Sequence, residues 1–263
     1  MADVVLSPPT TDRVQIVLPT YNEAANIEGV LGRLRAVLPD ARILVVDDNS
    51  PDGTADLAES VAGVEVHRRP TKSGLGTAYL HGFTAALESG VDCVVEMDAD
   101  FSHDPDQLPS LLAAIRGGAD LVIGSRYVPG GSIPNWSLHR RLLSQYGNRY
   151  SAAALRIPVR DATSGFRVYR APLLRALDLE SIRADGYAFQ VELAYRAHRA
   201  GARIVERPIT FVDRQAGTSK MSSRIVVEAL GLVTLWGIRD RLTRLRSRKD
   251  PIPGWLVSDP ARG

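Results

Sequence analysis

The chain has 263 residues, 44% of them hydrophobic and 24% charged, an ordinary globular composition that excludes the disordered, collagen-like and disulfide-scaffold classes. At ~150 residues per domain the length corresponds to one or two domains, and a formal charge of +2 is too small to point to a nucleic-acid partner. That total hides an imbalance, because residues 1–120 carry 19 acidic and 8 basic side chains whereas residues 121–263 carry 11 and 24.

The first residues, MADVVLSPPTTD, are short, acidic and Pro-containing, without the basic and apolar regions of a signal peptide. No stretch reaches the ~18 apolar residues of a membrane span. Cys93 is the single cysteine and lies in the apolar run VDCVVEMD, so no internal disulfide forms and the thiol is expected in a core. A reducing, cytoplasmic location is expected, and attachment to a membrane surface stays open.

In chain order, short apolar β-rich runs alternate with longer amphipathic segments. Strands are predicted at Val14–Leu18, Ile43–Val46, Val64–Val66, Val91–Met97 and Leu121–Ile123, with helices near Ala24–Val37, Thr54–Val61, Gly76–Glu88 and Leu108–Arg116. This is the βαβ alternation of a parallel sheet covered by helices, in which ligands bind at the carboxyl ends of the strands. The unusual residues gather at those ends: Pro19-Thr20-Tyr21-Asn22-Glu23, Asp47-Asp48-Asn49-Ser50, Asp98-Ala99-Asp100 and Gly124-Ser125-Arg126. Four such ends argue for one shared site. Beyond Gly130-Gly131 the pattern loosens into a basic helix near His139–Leu155, a strand near Phe166–Tyr169, a helix near Phe189–Ala200 and a strand near Arg203–Glu206. The loop DRQAGTSKMS follows, then the apolar segment Ile225–Ile238, then Arg239–Asp250 with six basic residues against two acidic.

Asp98 and Asp100 follow an apolar strand at i, i+2 spacing, which points both carboxylates the same way while the backbone stays extended. Two oxygen ligands so placed can hold Mg²⁺ or Mn²⁺, with water and substrate phosphates completing the shell. An isolated pair of this kind serves equally to cap a following helix. The further carboxylates of Asp47, Asp48 and Glu23 shift the balance, since crowding them at one edge is costly without a cation or bound donor. Asp104 and Asp106, on either side of Pro105, read as helix-opening caps, and His103, nearest the metal motif, as structural or as a support behind the metal ligands. A basic set, Arg126, Arg140, Arg141, Arg214 and Lys220, reads as a clamp for an anionic substrate if it lies opposite the carboxylates, and otherwise as solvated surface charge.

The segments VLPTYNEAANI, VVDDNSPDGT, KSGLGTAYLHGF, MDADFSHDP, GSRYVPGG, DATSGFRVYR and GTSKMS resemble, in order and over residues ~13–222, the GT-A glycosyltransferases of the polyprenyl-phosphate (dolichyl-phosphate) mannose synthase family. The resemblance implies an α/β, Rossmann-like, mostly parallel sheet flanked by helices. The catalytic domain would span residues 1–222, a C-terminal amphipathic, basic helical segment 223–250 and a tail 251–263. It implies GDP-mannose as donor and a polyprenyl monophosphate as acceptor, with inversion at the anomeric carbon. Pro19, Tyr21, Glu23, Val46 and Asp48 match nucleotide-holding positions, Asp98 and Ala99 match donor contacts, and Asp100 matches the metal ligand. Arg126, Arg140, Arg214 and Lys220 match phosphate-handling residues, the first two on the acceptor and the last two on the donor. Ser102 stands where some relatives place a metal-ligating Gln, so it either joins Asp98 and Asp100 on the cation or leaves the position to water or phosphate. Some members carry transmembrane segments after the catalytic domain. None follows here, so the resemblance implies association with the cytoplasmic face of a membrane and a membrane partner protein.

Other readings remain at this stage. One is transfer of another sugar, such as glucose from UDP-glucose, and one is a non-catalytic subunit that binds nucleotide-sugar or lipid. A Rossmann dehydrogenase is disfavoured, because the first strand ends in PTYNE rather than a Gly-rich phosphate turn.

Overall fold

A computed structural model describes residues 13–184, 186–213 and 230–242. The elements in chain order are β1 (Val14–Thr20), α1 (Ile27–Val37), β2 (Arg42–Asp47), α2 (Thr54–Ser60), β3 (Val64–Arg68), α3 (Leu75–Glu88), β4 (Cys93–Glu96), α4 (Leu108–Arg116) and β5 (Leu121–Ser125). Then come α5 (Leu138–Leu155), β6 (Arg167–Arg170), α6 (Ala171–Ala176), α7 (Gly186–Arg199) and β7 (Ile204–Pro208). Residues 230–242 are helical and are called α8.

The seven strands form one sheet in the order β3-β2-β1-β4-β6-β5-β7. All neighbours are parallel except β6, which runs antiparallel to both β4 and β5. The predicted mostly parallel α/β sheet flanked by helices is the architecture found.

Burial explains why the strands read as continuous apolar runs. Every residue of β1 is buried, as expected where helices cover both faces. Alternate residues feed two cores: Val17, Val46 and Val94 pack with Tyr79, Phe83 and Phe189 of α3 and α7, while Ile16, Val45 and Val95 pack with Val30, Leu34, Leu111 and Ile115 of α1 and α4. Cys93 lies in the second core, 1% exposed, and burial pushes its thiol up to about 11.

The differences from the predicted elements are local. Helix α1 begins at Ile27 rather than Ala24, because the Glu23 carbonyl accepts the N–H groups of both Asn26 and Ile27 and closes a turn there. Strand β4 is confined to Cys93–Glu96; beyond it the Asp98 N–H donates to the His103 side chain instead of to a neighbouring strand. Helix α6 has six residues, too few for helical periodicity to register. The start of the predicted 225–238 segment, the loop from Arg214 onward and the basic residues beyond 242 lie outside the described residues.

Close packing of α3 on the sheet depends on Gly82. A methyl group there would overlap the Val17 side chain and press on Val46 Cγ2 at 3.2 Å. Gly82→Ala is therefore expected to destabilise the fold by about 1–3 kcal/mol through overpacking, read as a lowered urea midpoint, whereas Gly32→Ala, with nothing within 4 Å of the added carbon, should not.

Candidate active site

The ends of β1 and β2 are tied together by short polar side chains. Asp47 is buried and accepts from Thr20 Oγ1 at 2.8 Å, Ser50 N at 2.8 Å and Ser50 Oγ at 2.6 Å. Ser50 Oγ accepts from Asn22 N, and Thr54 Oγ1 accepts from Glu23 N. Asn22 and Asn49 sit at φ 61° and 60°, the left-handed region that asparagine tolerates better than most side chains. Asp48 pairs with Arg69 Nη1 at 2.7 Å and accepts from Ser73 N at 3.1 Å. The Lys72 ammonium lies 3.7 Å from the centre of the Tyr21 ring. Pro19 and Val46 are register partners in adjacent strands and both are buried.

Asp47 is satisfied by hydroxyl and backbone donors, and the charge of Asp48 is offset by Arg69, although Asp48 Oδ1 has no hydrogen-bond partner among the described residues. Carboxylate crowding therefore calls for a cation only at the end of β4.

There the chain turns tightly. Asp98 Oδ1 accepts from the Tyr79 hydroxyl at 3.0 Å, and its backbone N–H donates to His103 Nδ1 at 3.1 Å. Burial and the Asp98 charge push the Tyr79 hydroxyl well above its ordinary range, so it stays a donor. Asp100, nearly fully buried, accepts from Ser102 N at 3.0 Å. Phe101 between them has φ 61°, and its ring leaves no room for a side chain at Gly29. Ser102 Oγ is buried without a hydrogen-bond partner among the described residues. Asp104 accepts from Asp106 N at the start of a 3-10 turn, and both carboxylates meet Arg33 Nη2 at 2.7 and 2.8 Å. The capping expectation thus holds for Asp104.

No group of three or more His, Cys, Asp or Glu side chains among the described residues is placed to hold a metal. Two carboxylates and an unsatisfied hydroxyl in one turn nevertheless fit a Mg²⁺ or Mn²⁺ ion. Such ions use one or two protein carboxylates and keep the remaining positions for water and substrate phosphates.

The basic group assembles at the end of β5. Arg126 is buried: its backbone N and Nε donate to Asp161 Oδ2 at 2.9 and 2.8 Å, and Nη2 donates to Asp161 Oδ1 at 2.6 Å and Thr163 Oγ1 at 2.9 Å. Burial works against this charge, but Asp161 outweighs it and holds the guanidinium above its ordinary value. Asp161 reaches the site because β6 is antiparallel, which delivers the preceding loop to the carboxyl ends of the other strands. Arg140, in the first turn of α5, donates through Nη1 to both oxygens of Asp213 at 2.8 and 3.0 Å and lies 3.9 Å over the Trp136 ring. Trp136 Nε1 donates to the same Asp213 at 3.0 Å. Beside Arg126 a cavity of about 780 Å³ opens between the 127–131 loop and α5, lined also by Arg141, Gln145, Arg149 and Arg160.

Aromatic contacts join the two groups. His103 stacks on Phe166 at 4.9 Å and meets Phe211 edge-on at 5.5 Å; Phe211 lies 5.7 Å from Trp136 and 5.4 Å from the Arg126 guanidinium. Burial pushes the His103 imidazole below its ordinary value. With Nδ1 accepting from Asp98 N, its proton resides on Nε2. Asp98, Asp100, Ser102, Arg126 and Arg140 thus lie at the carboxyl edge of the sheet, as do Tyr21 and Glu23 after β1 and Asp48 after β2. Arg214 and Lys220 lie outside the described residues.

The profile of Glycosyl transferase family 2 matches residues 15–178. An undecaprenyl-phosphate mannosyltransferase of Micrococcus luteus is 52% identical over 240 residues, covering 90% of this chain and 98% of that protein. A polyprenol monophosphomannose synthase of Mycolicibacterium smegmatis is 47% identical over 241 residues, covering 90% and 91%. Among solved structures, glucosyl-3-phosphoglycerate synthase from Mycobacterium tuberculosis, in complex with Mn²⁺, uridine diphosphate and glucosyl-3-phosphoglycerate, superposes with a TM-score of 0.61 at 23% identity over 92% of this chain and 82% of that one. That likeness shows the fold.

One buried group was missed in the sequence although its signal was there, an acid within the apolar run VVEM. Glu96 is completely buried and accepts from the Tyr169 hydroxyl at 2.9 Å and from Gln190 Nε2. Burial raises its carboxyl from 4.5 to about 7, against the pull of Arg167 and of these two donors. Between those values the folded protein keeps a proton that the unfolded chain has lost, so this group's contribution to stability falls as pH rises through the window. Glu96→Gln escapes that loss. Urea unfolding at pH 5 and pH 7.5 should show the variant gaining on the unaltered chain by on the order of 1–3 kcal/mol, and a difference independent of pH would contradict the assignment.

Proposed function

We propose that this chain, which belongs to Glycosyl transferase family 2 and to its polyprenyl-phosphate mannose synthase branch, transfers mannose from GDP-mannose to a polyprenyl monophosphate with inversion, releasing GDP. The observation that carries this reading is the meeting of the Asp98–Asp100 turn with Arg126 and Arg140 at one sheet edge. It occurs in a chain 52% identical to an undecaprenyl-phosphate mannosyltransferase.

The division of labour follows from charge. Tyr21, Glu23 and Asp48, at the strand ends that Pro19 and Val46 lead into, take the nucleotide, and Ala99 abuts the donor. Arg214 and Lys220 are assigned to its phosphates. Asp98 and Asp100, with Ser102 in the same turn, would hold Mg²⁺ or Mn²⁺, which when bound offsets charge on the departing diphosphate. The acceptor's second phosphate pKa is ~6, so at neutral pH it is largely a dianion and attacks without an enzymatic base. Neutral His103, its Nδ1 already occupied, is consistent with that. Arg126 and Arg140 orient the acceptor phosphate and offset repulsion between the two anionic substrates.

A lipid acceptor also accounts for an otherwise costly surface. Helix α5 contains no acidic residue, and it exposes Leu138 (71%), Leu142, Leu143 and Tyr146 (66%) beside Arg141 and Arg149. Helix α8 adds exposed Leu235, Ile238 and Leu242 and joins α5 through Tyr150 Oη and Thr234 Oγ1 at 2.5 Å. No helix among the described residues is long and apolar enough to cross a membrane. An apolar face fringed with arginine suits peripheral contact with an anionic bilayer.

Two measurements test this reading. With GDP-[¹⁴C]mannose and polyprenyl phosphate, label should enter lipid, EDTA should abolish transfer, and Asp100→Ala should lower kcat by at least ~100-fold. Transfer from UDP-glucose alone, or full transfer after metal removal, overturns the corresponding assignment. Flotation with anionic vesicles should retain the chain and lose the double variant Leu138→Ser, Leu142→Ser.

A further inference from the structure

The two arginines assigned to the acceptor are each already paired with a carboxylate, in very different settings. The Arg126–Asp161 pair is buried, with side chains 5% and 0% exposed, and three guanidinium or backbone donors bind the Asp161 carboxylate. The Arg140–Asp213 pair is open, at 27% and 41%. Arg140 uses a single nitrogen, Nη1, for both bonds to Asp213 rather than the two-nitrogen fork that gives guanidinium–oxyanion pairs their strength. Stacking on Trp136 fixes the plane of the guanidinium, and Trp136 Nε1 anchors the carboxylate.

From this contrast we infer that Asp213 is a positioning residue that occupies Arg140 between turnovers, gives way to the acceptor's phosphate, and returns to help expel the product. The inference rests on the reaction proposed above. In that reaction an oxygen of the acceptor phosphate forms a bond to the anomeric carbon as the bond from that carbon to the diphosphate oxygen breaks. The bonding pair leaves with the diphosphate, which gains one negative charge while the acceptor phosphate loses one. Before transfer, a phosphomonoester of nearly two charges competes with a carboxylate of one, and its extra oxygens can take the Nε and Nη2 donors that Asp213 does not engage. After transfer the lipid carries a phosphodiester of one charge, matched by a carboxylate that is covalently part of the chain and already held by Trp136. The chemistry itself reverses the preference of Arg140. Arg126 cannot make the same exchange, because its partner is sealed from water.

Asp213→Asn tests this, since it removes the charge but keeps an oxygen for Trp136 Nε1. With the full chain and GDP-mannose saturating, the KM for polyprenyl phosphate should fall by roughly two- to fivefold, the scale of a partly exposed ion pair. The inhibition constant of added polyprenyl-phosphomannose should fall by at least as much, and the KM for GDP-mannose should not move. Asp213→Glu should restore both values. Trp136→Phe, which keeps the ring but loses the N–H anchor, should shift both constants in the same direction by less. Unchanged acceptor KM and product inhibition in Asp213→Asn, or a raised KM without tighter product inhibition, overturns the inference while leaving the proposed reaction standing. Failure of the unaltered chain to mannosylate the lipid removes both.

Discussion

A guanidinium without access to water has to find protein acceptors for its N–H groups, and Arg167 in β6 is completely buried. Its Nε donates to the Ser164 carbonyl at 2.7 Å, Nη2 to Ala162 at 2.7 Å and Nη1 to Gln190 at 2.9 Å. Two of these acceptors are in the loop just before β6 and one is in α7. Satisfying the charge therefore curls residues 162–164 back against the strand and pins α7 beneath it. The curl sets Asp161 under Arg126 and brings Thr163 Oγ1 and Ser164 Oγ to the end of β5, where Ser164 donates to the Gly124 carbonyl at 2.6 Å. Cutting this anchorage would loosen the basic side of the site without touching any residue assigned to a ligand.

The first half of the chain was legible because its logic is local. Each strand from β1 to β5 is followed within a few residues by the polar side chains it delivers, and alternation of apolar runs with amphipathic stretches reports both sheet and helices. The second half hid its key feature. Nothing in Phe166–Tyr169 tells that the strand enters between β4 and β5 and runs against them, since strand direction is a property of partners more than 40 residues away. The carboxylates that neutralise the site's arginines were unreadable for the same reason: Asp161 is 35 residues from Arg126 and Asp213 is 73 from Arg140. Lys72 opens the KSGLGT segment and Arg69 lies three residues before it, yet their contacts with Tyr21 and Asp48 exist only once β3 has paired with β2.

The opposed charges of the two halves also look different in three dimensions. At the site the charges pair within each half rather than between them: Asp48 with Arg69 in the first, Arg126 with Asp161 and Arg140 with Asp213 in the second. Before substrates arrive, much of the edge is electrostatically satisfied from within. A ligand at such an edge gains less by supplying charge than by replacing charge already present, so discrimination depends on how well it reproduces the geometry of the internal partner.

The sheet ends in β3 on one side and β7 on the other. Strand β3 is rimmed with Glu65, His67 and Arg68, and β7 closes with Glu206, Arg207 and Pro208, the last of which has no N–H to offer. Charged side chains and a missing donor discourage any further strand from adding to a border of this kind. The sheet is closed to growth by backbone pairing, so fibrillar stacking and strand exchange between copies are both disfavoured. Another copy meeting these borders would have to be held by side chains rather than by backbone pairing.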